Sequence, residues 1–162
     1  MLPVEPRISS EKLSELLGYD PTTGDIWWQV SRGPLKAGTP VTGDTVKVNG
    51  ITYVIGRVAW CLYHGEWPPL DKLVDHKNGR HADNRIDNMR LATYSQNSQN
   101  KPGYALHAKG VHRRSRGGNS WEARIMIEGR VIELGSYKSE EEAAEAYRQA
   151  ALKYHGEFAC LE

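Results

Sequence analysis

The sequence predicts an α+β chain of two dissimilar modules, the second of them a small three-stranded antiparallel sheet packed on one helix. Two patterns and one break carry that prediction. Trp121, Ala123, Ile125 and Ile127 alternate with Glu122, Arg124, Met126 and Glu128, the period of a strand with one buried face. Further on, Ala143, Tyr147, Ala150, Ala151 and Tyr154 recur at helical spacing. Between the halves, residues 96–107 are polar and carry Pro102-Gly103, which marks a linker. The resulting boundaries are 1–100 for the first module, 101–108 for the linker and 109–162 for the second.

The elements of the first module come from turn chemistry. Residues 19–25, Tyr-Asp-Pro-Thr-Thr-Gly-Asp, form a turn because Asp and Pro pre-set its start and Gly24 accepts positive φ. A short strand over 26–30 comes next, then a Gly/Pro/Thr-rich loop over 32–44. Asn49-Gly50 between two short β-prone runs specifies a two-residue type I′ hairpin. Residues 54–63 place Val54, Val58, Cys61 and Leu62 on one side of a helix that Gly65 and Pro68-Pro69 end. Leu73-Val74-Asp75-His76 leads as a short strand into an Asn/Asp/Gly-rich loop over 77–87, a second strand covers 89–93, and Ser95 caps a helix starting near Gln96. In the second module, residues 109–114, 121–128 and 131–137 are the strands. Ser139-Glu140-Glu141-Glu142 is a capping box, and Gly156 ends the helix.

Composition narrows the function classes. The chain has 162 residues, 39% hydrophobic and 25% charged, with no apolar run of membrane-spanning length and no secretory start, so it is expected in the cytoplasm with no membrane partner. Cys61 and Cys160 form no Cys-x-x-Cys pair, so free thiols are expected rather than a zinc site or a disulfide framework. The net charge of +1 conceals an uneven distribution. Residues 72–101 carry six Lys/Arg against three Asp, and residues 109–131 carry six Lys/Arg against two Glu. Residues 132–162 reverse the sign, with three basic against seven acidic side chains. Basic segments before an acidic one describe two faces.

One cluster has the makings of phosphodiester chemistry. Cleavage needs a base that works near neutral pH and a hard cation for the scissile phosphate. Asp75 is a hard oxygen ligand, and His76 beside it has an ordinary pKa of about 6.5 that leaves the imidazole neutral at physiological pH. Magnesium accepts one carboxylate, one amide oxygen and several waters, so Asn97 at the start of the second helix can complete a site with Asp75.

Leu73-Val74-Asp75-His76, the run Asp83-Asn84-Arg85-Ile86-Asp87-Asn88-Met89-Arg90, and Tyr94-Ser95-Gln96-Asn97 together resemble the ββα-metal motif of HNH endonucleases of the phage homing type. The resemblance extends over most of residues 15–100, with a catalytic core at about 72–100. It implies a Mg²⁺ (or Mn²⁺) held by Asp75 and Asn97, His76 as general base, and Asn88 holding the loop and orienting the histidine. The zinc-binding cysteine pairs of some relatives are absent, so no zinc is expected. Gly56 stands where a histidine is expected, which leaves that position without a phosphate contact. Other histidines carry no such role: His64 and His155 are expected to cap or face solvent, and His81 to lie on a loop surface, while Trp60 and Trp67 belong to the core.

Residues 109–161 resemble the APETALA-type DNA-binding domain of plant ethylene-response factors, through Lys109-Gly110-Val111, Trp121-Glu122-Ala123-Arg124-Ile125, Leu134-Gly135-Ser136-Tyr137 and Glu141-Glu142-Ala143-Ala144-Glu145-Ala146-Tyr147. That family implies a sheet in the major groove with the helix behind it. Strand alternation puts His112, Arg114, Arg124 and Met126 on the DNA side, with Lys109, Arg116 and Arg130 at the edges. The reading that results is a metal-dependent endonuclease on double-stranded DNA, with no small-molecule cofactor, targeted by its C-terminal module. The alternative is a non-enzymatic DNA-binding regulator whose nuclease part is inactive. A defence or packaging nuclease would share the chemistry with a different biological target.

Overall fold

In a computed structural model, residues 8–102, 107–114 and 120–161 are described, and the chain divides into two compact units, Met1–Thr93 and Tyr94–Glu162. No helix among the described residues is long and apolar enough to cross a membrane.

The first unit opens with helix α1, Ser10–Leu16, in a stretch where the sequence predicts no element. Ser9 caps it by accepting a hydrogen bond from the Lys12 N–H at 3.3 Å, and Leu13 and Leu16 turn inward. Strand β1, Leu17–Tyr19, pairs antiparallel with β2, Ile26–Trp28, around the expected turn. Strands β3, Thr45–Val48, and β4, Ile51–Val54, form a second hairpin. Its Asn49 and Gly50 have φ of 50° and 83°, the double positive φ that a type I′ turn requires. Helix α2, Ile55–His64, ends on Gly65 in the left-handed conformation. Strands β5, Leu73–His76, and β6, Met89–Ala92, complete the unit as an antiparallel pair. Leu13, Leu17, Ile26, Val48, Val58, Cys61 and Met89 form the core, with Trp60 and Trp67 packed against it. Burial pushes the Cys61 thiol up to about 12, which keeps it protonated and inert.

The turn between β1 and β2 cradles the loop that precedes β6. Pro21 O accepts from Ile86 N–H at 3.0 Å, and the Tyr19 hydroxyl donates to Asn84 O at 2.7 Å. Gly24, at φ 83°, lets the two backbones meet: a Cβ there would sit 2.8 Å from both Arg85 N and the Asn84 carbonyl carbon. Gly24→Ala is therefore expected to cost roughly 1–2 kcal/mol for the left-handed backbone and roughly 1–3 kcal/mol more for the overpacking. Chemical denaturation of the full chain measures the loss, and an unchanged midpoint would contradict this packing.

The second unit contains helix α3, Tyr94–Gln99, and a three-stranded antiparallel sheet in the order β7 (Val111–Arg113), β8 (Trp121–Ile127), β9 (Arg130–Tyr137). Helix α4, Glu140–His155, packs on that sheet. Ala123 and Ile125 of β8 are buried with Val111, Ala143, Tyr147 and Ala151. The Ser139 hydroxyl accepts from Glu142 N–H at 3.2 Å, so the capping serine starts α4. Two expectations change. The division falls at Thr93/Tyr94 rather than at residue 100, so α3 joins the second unit. The Lys109 ammonium donates to Gln99 O at 2.6 Å and also to Lys101 O, which ties the end of α3 and the next residues to the segment entering β7. His155 also does not face solvent: it is buried, with Nε2 3.0 Å from Met126 O.

Candidate active site

The β5–β6 ladder builds the site. Its register sets Asp75 opposite Arg90 and His76 opposite Met89. Asp75 is 4% exposed and His76 5%, two polar side chains in a place where burial must be compensated. For Asp75 the compensation is Arg90, whose Nε donates to Oδ2 at 2.9 Å in a buried ion pair. For His76 it is Asn84, whose Oδ1 lies 3.0 Å from the imidazole Nε2. Burial holds the His76 pKa below its ordinary value and nearby His81 pushes the same way, outweighing the raising effects of the Asn84 hydrogen bond and of Asp75 and Asp83. The imidazole is consequently neutral at pH 7.

This shift couples stability to pH with a definite sign. Because the folded pKa of His76 is lowered, the unfolded chain takes up a proton there first as pH falls through about 6.5. The stability that His76 contributes as a neutral buried group is therefore complete above that pH and is lost below it.

Asn88 is engaged with the loop that the family resemblance has it hold. Its Nδ2 donates to Asp83 O at 2.8 Å and to Asn78 Oδ1 at 3.1 Å, and its Oδ1 accepts from Asn78 N–H at 3.1 Å. Those bonds staple the loop between β5 and β6. Asn84, which was not expected as a site residue, brings its amide oxygen to the His76 ring. Around the staple, Asn78 donates to Asp83 at 2.8 Å, and Arg85 grips the same carboxylate at 2.8 and 2.7 Å, holding Asp83 well below the usual carboxylate range. Gly56 of α2 lies against the other side of the His76–Asn84 pair. A Cβ there would stand 3.3 Å from His76 Cε1 and 3.7 Å from Asn84 Oδ1, so a large side chain at this position would displace the imidazole.

The donor chemistry suits a hard cation. Asp75 is a carboxylate with two oxygens, and about four lone-pair sites let one arginine bond coexist with a metal contact. No group of three or more His, Cys, Asp or Glu side chains that could hold a metal ion gathers among the described residues. Asn97, the second expected ligand, lies on α3 in the second unit, while Asp75 and His76 belong to the first.

Of the residues expected to meet DNA, His112, Arg114, Met126 and Arg130 are exposed, Met126 at 58%. Arg124 is partly covered and bridges two carboxylates, Glu122 at 2.8 Å and Glu133 at 3.4 Å, while Arg114 reaches Glu122 at 3.4 Å. The outer sheet face is thus a network of both signs rather than a row of unengaged arginines. Lys109 departs from the expectation, because its ammonium is turned onto backbone carbonyls and burial lowers its pKa. Arg116 lies outside the described residues.

Residues 53–99 match the HNH endonuclease family model. The HNH match takes in α2, the β5–β6 pair with its loop, and α3, and so includes Asp75, His76, Asn84, Asn88 and Asn97. The chain is also 34% identical over 124 residues to an uncharacterized HNH endonuclease of Acanthamoeba polyphaga mimivirus, an alignment covering 76% of this chain and 62% of the relative. It therefore spans less than two thirds of that viral protein's length. No solved structure matches it significantly.

Asn84 escapes a reading of the sequence because it is one of several Asn and Asp side chains in a polar loop, and nothing in its spacing marks it. The available signal lies elsewhere, in Gly24 and the turn chemistry of residues 19–25, which form the cradle.

Proposed function

We propose that this chain is a metal-dependent DNA endonuclease of the homing type, with its nuclease centre in the HNH segment and its DNA affinity in the C-terminal unit. The observation that carries the reading is the adjacent pair on β5: a buried, neutral imidazole beside a buried carboxylate, within the segment that matches HNH endonucleases. His76 removes a proton from the attacking water as its oxygen bonds to phosphorus. The bond from phosphorus to the 3′ oxygen breaks, and that oxygen takes a proton from solvent, leaving 5′-phosphate and 3′-hydroxyl ends. Asp75 and Asn97 are the residues that would hold Mg²⁺ or Mn²⁺, which when bound neutralises charge on the phosphate and the departing oxygen. Asn88 keeps the connecting loop in shape. The site of action is the cytoplasm of the cell in which the protein is made.

The C-terminal unit is read as an APETALA-type DNA-binding domain. In support, its helix-covered sheet presents His112, Arg114, Arg124 and Met126 outward, with Arg130 at the edge, while Glu141 and Glu145 are exposed on α4. Arg124 must exchange its carboxylate partners for a base edge, so its contribution is a difference between two good interactions. Arg124→Ala is expected to weaken binding to the preferred site by up to about 1–3 kcal/mol more than binding to random DNA. Glu141→Gln with Glu145→Gln should not weaken either. Salt-dependent titrations of the full chain decide this, and equal losses on both DNAs would reduce Arg124 to a phosphate contact.

Incubation of the purified chain with Mg²⁺ and DNA from its source, with mapping of break ends on each strand, tests the proposed activity. Intact DNA from a folded, DNA-binding protein would favour the regulator instead.

A further inference from the structure

We infer that Met126 and Val131 form an apolar contact for the 5-methyl group of thymine, so that the DNA this chain selects carries thymine under the tip of the β8–β9 hairpin. The inference rests on the reading of the C-terminal unit as a DNA-binding domain and narrows it from DNA in general to one base. The register of β8 and β9 sets the two residues directly opposite each other. Side chains paired in this way on one face have Cβ atoms roughly 4.5–5.5 Å apart. Both are left to solvent, Met126 at 58% and Val131 at 59% exposed. Strand alternation puts them on the face away from α4, because Ile125, next to Met126, is buried with Tyr147 and Ala151 of that helix. Ile132, also exposed, lies opposite Ile125 and so belongs to the helix side.

The surroundings of the pair decide its ligand. On one side of it Arg124 stands opposite Glu133, bridging to that carboxylate at 3.4 Å and to Glu122 at 2.8 Å. On the other, the strands close at Ile127 and Arg130 through Glu128 and Gly129, whose φ of 49° and 77° fit a two-residue turn. The apolar surface therefore ends after one cross-strand pair. Two side chains offer far less than the roughly 800 Å² that each partner gives to a stable protein interface, yet enough to cover a methyl group. Neither carries a hydrogen-bond donor, so neither can hold phosphate. Attraction to phosphate comes from their neighbours, since residues 109–131 carry six Lys/Arg against two Glu. A two-stranded ribbon fits the major groove of DNA, and the apolar group that base pairs present there is the thymine methyl.

The test uses the full chain without Mg²⁺, so that DNA is bound and not cut. A site is enriched from a random duplex library and prepared twice, once with thymine and once with uracil, which differs only in lacking the methyl. The wild type should bind the uracil duplex about 4-fold more weakly for each methyl contacted, the effect of burying one such group. Met126→Ala/Val131→Ala alters two exposed positions and should keep the wild-type melting temperature, bind the thymine duplex more weakly and lose the difference between the duplexes. Met126→Leu keeps the apolar reach and should retain that difference. Equal, salt-dependent binding of both duplexes by the wild type overturns the inference and leaves the DNA-binding reading standing. A difference that survives in the double variant also overturns it, because the methyl is then sensed elsewhere. Self-association of the wild type that the double variant loses, with no difference between the duplexes, would make a second copy of the chain the occupant. Absence of salt-dependent binding to any duplex removes the DNA-binding reading and the inference with it.

Discussion

Replacing His76 by alanine is expected to slow DNA cleavage by about 10²- to 10⁴-fold, the range general-base catalysis ordinarily supplies, while DNA affinity stays close to that of the wild type. The two effects separate because the proposed task of the imidazole is to take a proton from water, not to hold phosphate. Burial lowers the pKa of His76 from its ordinary 6.5, so the base form is already dominant at neutral pH. As pH is lowered, wild-type cleavage should fall with a midpoint below that ordinary value. Any residual rate of His76→Ala should lack this inflection. Parallel loss of binding and cleavage would show that the residue is structural. An inflection surviving in the alanine variant would assign the base to another group.

Asp75→Ala is expected to remove both activity and a large part of the stability of the first unit. Asp75 and Arg90 form an ion pair with side chains only 5% and 10% exposed, and taking away one partner leaves a buried guanidinium without its carboxylate. Breaking a buried pair in this way costs about 3–5 kcal/mol. The double variant Asp75→Ala/Arg90→Leu should recover much of that loss, since no buried charge is left over, yet should remain inactive. Added Mg²⁺ separates the metal role from the structural one. A cation that binds the folded state raises its melting temperature by mass action, so the wild type should gain stability with Mg²⁺ and the double variant should not. Equal Mg²⁺ shifts in the two proteins would remove Asp75 from the ligand set.

Local periodicity and turn chemistry are what the sequence makes legible. The alternation along residues 121–128, the Asn49-Gly50 hairpin and the serine cap of α4 all act over a few residues, and each is present in the fold. Helix α1 escapes because it is seven residues long with only Leu13 and Leu16 buried, too short for a periodic stripe, although Ser9 stands ready as its cap. The engagement of Arg124 is closer to hand: Glu122 lies two positions away on the same strand face, where period-two spacing brings them together. Neither the Lys109 tie nor the contact of Asn84 with His76 can be read in the same way. Lys109 meets carbonyls ten and eight residues back in the chain. Asn84 reaches His76 because the β1–β2 turn, some sixty residues earlier in the chain, fixes its backbone. Contacts of that kind depend on tertiary packing that residue spacing does not encode.

A metal-dependent nuclease centre built on Asp75 and His76 is tested most directly by side-by-side incubation of wild-type and His76→Ala protein, purified identically, with supercoiled source DNA. The incubation runs over a Mg²⁺ titration and with a chelator control. The expected result is Mg²⁺-dependent nicked or linear product from the wild type with 5′-phosphate and 3′-hydroxyl ends, stopped by chelator, and at most a trace from the variant, which still binds the DNA. Product formed equally by both proteins, or none from a folded wild type that binds the same DNA in Mg²⁺, would contradict such a centre.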